Sequence, residues 1–389
     1  MSRRRVSIEV IDEPTERASD SADGDNASLS VQKTAVSIFL SFVPNLLVSQ
    51  LLKESWNANR RMRCTSQWCA AAFIDISGFS SLASELQSMD KNKGMGKTHI
   101  SGAESLTIFL NNTLQRLIDV VADFEGDIVK FAGDAMIVLW KVDIIKGEEN
   151  SISTEKKKAQ AVAAACTCAT NAIETLEVLG VIGENNADVG TSPMMTRSSL
   201  KKQAKLSVHT GIGCGNVTAF HVGGLRKRWE FFVMGSACNE MNFAESLANK
   251  GETVISKGSI ELLKAHSQDL GISELKFGRK KNGYALLSTF KCMSTSKASK
   301  DKIMRLSRDI VTKLDNSLRS YIPAPIVSAV DEGENLSGDG VLRELCVLFI
   351  KLTSLKTDFD PLVGLERTAE HFQKSVVAIQ EVSERVSKL

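Results

Sequence analysis

Apolar and polar positions along the middle of the chain change period several times, and each change predicts an element. Ala71-Ala72-Phe73-Ile74-Asp75-Ile76 is a short apolar run broken at Ser77-Gly78, which predicts a strand ending in a turn. Residues 104–124 then place Leu106, Phe109, Leu110, Leu114, Leu117, Ile118 and Val121 on one face at helical spacing, with Gly126 closing the helix. Asp127–Ala132, the Gly133-Asp134 turn and Ala135–Trp140 predict a strand, a tight hairpin and a strand. A second helix is predicted over 155–179. After a polar stretch at 184–205 come two strand candidates, 206–213 and 217–222, around a Gly-rich turn. The order strand, helix, two strands, helix, strand predicts an α+β fold, a ferredoxin-like split βαβ sandwich. A further helix over 236–249 and short elements to about Thr289 complete this unit.

The flanks read differently. Residues 1–33 are polar, rich in Ser and Asp and without periodicity, so a disordered arm is expected before a first domain at 34–292. Residues 293–315 open on a polar run and are expected to be a linker. The remainder, 316–389, begins an internal repeat. Ser41–Ser49 matches Ser320–Ser328 in character, and Pro44 and Pro323 each precede an apolar helix start. The strand Phe73-Ile74-Asp75-Ile76 returns as Phe349-Ile350-Lys351-Leu352, its carboxylate replaced by an amine. An amphipathic helix follows with Leu365, Phe372, Val376, Ile379, Val382 and Val386, so the second copy is expected to be incomplete. Half a sandwich cannot cover its own sheet face. It must pack on the first domain, meet another chain or remain loose.

Composition narrows the classes. With 389 residues, 43% apolar and 24% charged, the chain can bury two ordinary cores. Its 48 Lys and Arg against 46 Asp and Glu leave +2, with no basic block to coat a phosphate backbone, so nucleic acid is not an expected partner. None of the 8 cysteines forms a CxxC pair, as expected of reduced thiols in a cytosolic protein. Arg3, Arg4 and Arg5 are followed by Glu9, Asp12, Glu13 and Glu16 rather than an apolar stretch, so no export signal is expected. The run 38–51 is short and broken by Pro44, and 161–182 carries Asn171, Glu174 and Glu177; neither is expected to span a membrane, and the expected location is cytoplasmic.

The candidate chemistry is Asp75 with Asp134. One carboxylate ends the first strand and the other sits in the hairpin turn beside it, so the two can converge at a sheet edge. Convergent carboxylates suit hard divalent cations that also bind substrate phosphates. The loop Ser77–Ser80 offers backbone N–H groups to a polyphosphate. Each Asp taken alone is equally well explained as turn chemistry. Gly94-Met95-Gly96-Lys97-Thr98 has only the tail of a P-loop and no preceding strand. Gly211, Gly213 and Gly215 read as a hairpin turn, His209 as a strand histidine bonded locally, and Arg226–Trp229 as a solvated turn.

Four segments together, Phe73–Ser80, Val129–Ala135, His209–Gly215 and Phe232–Gly235, resemble the catalytic domain of class III nucleotidyl cyclases, with the soluble, bicarbonate-responsive adenylyl cyclases as the most similar subfamily. The resemblance implies formation of a 3′,5′-cyclic nucleotide, cAMP from ATP with loss of pyrophosphate, with GTP as the alternative substrate. It implies two Mg²⁺ ions, for which Mn²⁺ can substitute, on Asp75 and Asp134, with the Ile76 carbonyl and the amides of Gly78, Phe79 and Ser80 facing the triphosphate. Lys130 matches the base-reading Lys and Asn239 the transition-state Asn, but Phe243 stands where the family has Arg. A symmetric homodimer would therefore lack a transition-state cation, and a complementary cyclase domain, in cis or in trans, is the implied partner. Of the three groups implied to hold bicarbonate, only Lys130 is kept; the other two positions are Asn242 and Glu230. A second class remains open: a catalytically silent module that binds nucleotide or pairs with another cyclase domain.

Overall fold

A computed structural model describes residues 6–10, 22–53, 62–78, 102–185, 206–293, 302–334, 350 and 364–386. Phe79, Ser80, Gly94–Thr98 and, of the repeated strand, Phe349, Lys351 and Leu352 lie outside the described residues.

The apolar run at 71–76 lies within a longer strand, β2 (Arg63–Ser77), whose stretch Cys69–Ala72 is buried on both faces, as a central strand must be. It pairs antiparallel with β4 (Ala135–Lys141) on one side and β5 (Ser207–Gly223) on the other. β3 (Asp127–Ala132) joins β4 through the Gly133-Asp134 hairpin, where Gly133 takes φ +68°. Helix α3 (Gly102–Asp123) connects β2 to β3, and α4 (Ile152–Asn185) connects β4 to β5. The order β3-β4-β2-β5 is the split βαβ expected from the sequence. Beyond β5 the sheet continues through β7 (Thr253–Ile255), β9 (Tyr284–Cys292) and β8 (Ile272–Lys281), while β6 (Trp229–Gly235) also pairs with β5.

Two helical layers cover this sheet. Leu117 and Val121 of α3 with Val162, Cys166 and Ala169 of α4 pack on Ala72, Ile74, Met136 and Val138. On the opposite face α5 (Ser236–Ser246) sets Ala237, Cys238 and Met241 against Cys69, Ala71, Val217 and Ala219. Five of the described cysteines are buried and two partly buried, all seven as free thiols; the buried ones fill space as small apolar side chains. A fourth helix on the sheet, α6 (Lys257–Ala265), follows β7 behind the Ser256 N-cap. Among the described residues no helix is long and apolar enough to cross a membrane.

Three expectations are corrected. The Gly-rich stretch is not a turn between two strands, because β5 runs unbroken through Gly211, Gly213 and Gly215. A Cβ at Gly211 would lie 2.2 Å from the Glu245 nitrogen and one at Gly213 would lie 2.5 Å from the Met241 nitrogen. The glycines let α5 lie directly on the strand. The arm expected to be disordered over 1–33 contains β1 (Val6–Val10) and the start of α1 (Ala22–Phe39). The linker expected over 293–315 contains β10 (Lys302–Leu306) and the start of α7 (Arg308–Leu318). β1 and β10 pair in parallel, from Val6↔Lys302 to Val10↔Leu306, so each supplies the partner that the other lacks locally.

Pro44 and Pro323 are the N-cap residues of α2 (Asn45–Leu51) and α8 (Ala324–Asp331). Both Asp127 carboxylate oxygens accept from the first amides of α2, at 2.8 Å from Asn45 and from Leu46, fastening that helix to β3. Val36, Phe39, Leu47 and Leu51 share one core with Val311, Leu314, Leu318 and Ile322. The last helix, α9 (Leu365–Val386), packs on the first domain: Phe372 meets Phe220 and Phe232 at ring distances of 5.3 and 4.9 Å. The Gln373 amide bonds the Gly223 N–H at 2.8 Å and its carbonyl at 2.6 Å, and Glu384 pairs with Arg226.

Candidate active site

The antiparallel register of β2 and β5 sets Asp75 directly across from His209. His209 Nε2 lies 3.3 Å from Asp75 Oδ2 and 3.0 Å from Glu245 Oε1, and its Nδ1 lies 3.1 Å from Ser77 Oγ. With two carboxylate oxygens on Nε2, that nitrogen carries the proton and Nδ1 accepts from the Ser77 hydroxyl. Glu245 reaches this edge from the last turn of α5, and it can do so because Gly211 leaves no side chain in its way.

Asp75 is partly buried, and that burial pushes its carboxyl above the ordinary range. His209 opposes the shift, the charges of Asp134 and Glu245 add to it, and a hydrogen bond from the Ile76 N–H opposes it again. Asp134 is exposed in the hairpin turn, yet it acts on Asp75 because β4 is the immediate neighbour of β2, with Ile74 across from Met136. The two aspartates thus converge on one edge of the sheet. Gly78, one residue past β2, takes φ +109°, which turns the chain out of the strand where a side chain would be strained. Ile76 is fully buried and only its main chain is available.

Among the described residues, no hydrogen bond or ion pair joins the other candidates to Asp75, His209 or Glu245, as their own surroundings show. Lys130 is exposed on β3, beside the irregularity between Ile128 and Lys130. Asn239 is exposed on α5, six residues and so about 9 Å of helix before Glu245. Phe243 is 41% exposed, its ring 4.8 Å from that of Tyr284. Glu230 pairs with Arg228 at 3.2 Å and Asn242 is exposed, so neither adds a cation beside Lys130 for a bicarbonate ion.

His209 and Glu245 are the residues that sequence reasoning left out. His209 is indeed a locally bonded strand histidine, but its partner is Asp75 itself. No sequence signal joins Glu245 to Asp75, because the link passes through strand register and the seating of α5 on glycine. Asp75, His209 and Glu245 offer ligand atoms that all lie within 4.8 Å of one another. Two carboxylates and one imidazole at a partly exposed edge, with the charge of Asp134 also acting on Asp75, fit a divalent cation: the oxygen donors are those Mg²⁺ and Mn²⁺ prefer, and the repulsion borne by Asp75 is what a cation relieves.

The family model for the adenylate and guanylate cyclase catalytic domain matches residues 64–288. That span takes in the whole split βαβ and the Asp75 edge, and the chain belongs to this family, the class III nucleotidyl cyclases. Its sequence is similar to adenylate cyclase type 10, at 23% identity over 296 residues of the Oryctolagus cuniculus protein and 23% over 310 residues of the Mus musculus protein. These alignments take in 72% and 75% of this chain but 16% of each relative, so the chain spans about one-sixth of their length. Among solved structures, the adenylyl cyclase CyaB from P. aeruginosa aligns with 58% of this chain and 97% of its own, at 19% identity and TM-score 0.40. The guanylate cyclase domain of RhGC from Catenaria anguillulae in complex with GTP aligns with 58% and 100%, at 14% identity and TM-score 0.37.

Proposed function

We propose that this chain forms 3′,5′-cyclic AMP from ATP, releasing pyrophosphate, with two Mg²⁺ ions held by Asp75 and Asp134. The observation that carries the reading is the convergence of these two carboxylates on one sheet edge, where the charge of Asp134 adds to the burial that raises the Asp75 carboxyl. When bound, the cations acidify the ribose 3′-hydroxyl and neutralise the β- and γ-phosphates. Asp75, at the end of a central strand, holds its position through β2 and β5, and Asp134 approaches from the hairpin. The amides after Ser77 bind triphosphate oxygens, and Gly78 allows the chain to turn towards them. The bond formed joins O3′ to the α-phosphorus, the bond broken joins that phosphorus to the β-bridging oxygen, and the hydroxyl proton passes to solvent.

Lys130 and Asn239 serve a second pocket, across the interface with a complementary domain, rather than the Asp75 site. Their exposure supports this, as does Phe243, whose ring cannot stabilise a phosphoryl transition state. The working site is then asymmetric: this domain brings the metal ligands and a complementary cyclase domain brings the base-reading and transition-state groups. A cytoplasmic location fits the same reading.

The test is cyclase activity with Mg²⁺ or Mn²⁺ and ATP or GTP, on the chain alone and with a complementary domain added. Activity should appear with ATP on complementation and fall at least about 100-fold in Asp75→Asn and in Asp134→Asn. Preference for GTP would reassign the substrate. Silence in every combination would favour the nucleotide-binding module.

A further inference from the structure

We propose that His209, held by Glu245 and Ser77, is the positioning residue for Asp75, fixing that carboxylate in the orientation that receives the cation. The inference rests on Asp75 as a metal ligand. His209 Nε2–H donates to Glu245 Oε1 at 3.0 Å and lies 3.3 Å from Asp75 Oδ2, so the imidazole, held by Glu245, stands against one Asp75 oxygen while the Ile76 N–H also bonds the carboxylate. Ser77 donates to Nδ1 at 3.1 Å, fixing the ring plane and the tautomer together. Each support comes from a different element: Ser77 from the strand of Asp75 itself, His209 from β5, Glu245 from α5.

The arrangement is costly unless it has a task. It places Asp75 within the field of two further carboxylates, Asp134 and Glu245, and it needs glycine at 211 so that the Glu245 backbone can approach β5. The side chains of His209, Asp75 and Glu245 are 14%, 25% and 27% exposed, so the cluster opens on the edge where Asp134 stands rather than filling the core. Without the imidazole donor, Asp75 would face two like charges and swing towards solvent. Groups that orient metal ligands in this way are worth about 10- to 100-fold in metal affinity.

Mn²⁺ binding to the full chain, read from the loss of the free-ion spin-resonance signal, tests this without reference to turnover. His209→Leu should weaken Mn²⁺ binding about tenfold or more. His209→Gln, which keeps an N–H near the Nε2 position, should restore most of it, and Glu245→Gln should lie between. The thermal midpoint of each variant is measured alongside; if His209→Leu does not fold, Glu245→Gln and Ser77→Ala decide, both acting at partly exposed positions. Unchanged Mn²⁺ affinity in these variants, while Asp75→Asn loses it, overturns the clamp and leaves the metal reading standing. Mn²⁺ binding that survives Asp75→Asn removes both. Imidazole nitrogen coupling to the bound Mn²⁺ in the unaltered chain would make His209 a ligand and overturn the positioning role.

Discussion

His221 shows how much one residue can hold. It is fully buried, accepting from Tyr321 Oη at 2.9 Å on Nδ1 and donating to Gln50 Oε1 at 2.6 Å from Nε2. It thereby ties β5 to both copies of the repeat. Burial, with a smaller contribution from Arg63, pushes its pKa down to about 3. The unfolded chain takes up a proton near pH 6.5 that the folded chain refuses, so this group's stability is present above that pH and is lost as pH falls towards 3. The slope is about 1.4 kcal/mol per pH unit, or about 2 kcal/mol by pH 5. Urea unfolding at pH 7 and pH 5 should show that loss in the unaltered chain and not in His221→Gln; equal losses would put the acid sensitivity elsewhere.

At the scale of elements, β5 and α5 depend on glycine for a reason that has nothing to do with turns. A Cβ at Gly213 would meet the Met241 nitrogen at 2.5 Å and the Ala237 oxygen at 2.6 Å, both backbone atoms that cannot rotate away. Gly213→Ala should therefore cost about 1–3 kcal/mol, read from the denaturation midpoint. Because α5 carries Glu245, the variant should also weaken Mn²⁺ binding more than its stability loss explains. The Gly-x-Gly-x-Gly spacing was legible in the sequence, but its meaning was not: period two on one strand face signals a close neighbour only once the neighbour is known.

On the scale of the whole molecule, the described segments 302–334 and 364–386 meet the rest of the chain through the β1–β10 pair, the shared core of α1, α2 and α7 and the seat of α9 on β5 and β6. Phe372 anchors that seat among Phe220 and Phe232. Phe372→Ala should remove about 3 kcal/mol from the docking of α9. Hydrogen exchange should then speed up across 365–386 while 64–78 keeps its protection; equal acceleration in both would mean that the two copies unfold as one unit. The Ser41–Ser49 and Ser320–Ser328 match placed a Pro before an apolar helix at each position, and both helices line one core.

The sequence by itself determined the split βαβ, because strand and helix periods of the apolar positions are local and survive without partners. It also singled out Asp75 and Asp134 as candidates, since a carboxylate at a strand end and one in a Gly-Asp hairpin are marked by their immediate neighbours. The strand Val6–Val10 is not read from the sequence, because a lone strand so short has no reason to form until Lys302–Leu306 lies beside it. Only the tertiary structure decided that β5 is continuous, that His221 sits between the two copies, and that His209 and Glu245 stand behind Asp75. Each of these rests on register or helix seating between segments far apart in the chain, where a shift of one residue would turn the side chain to the other face.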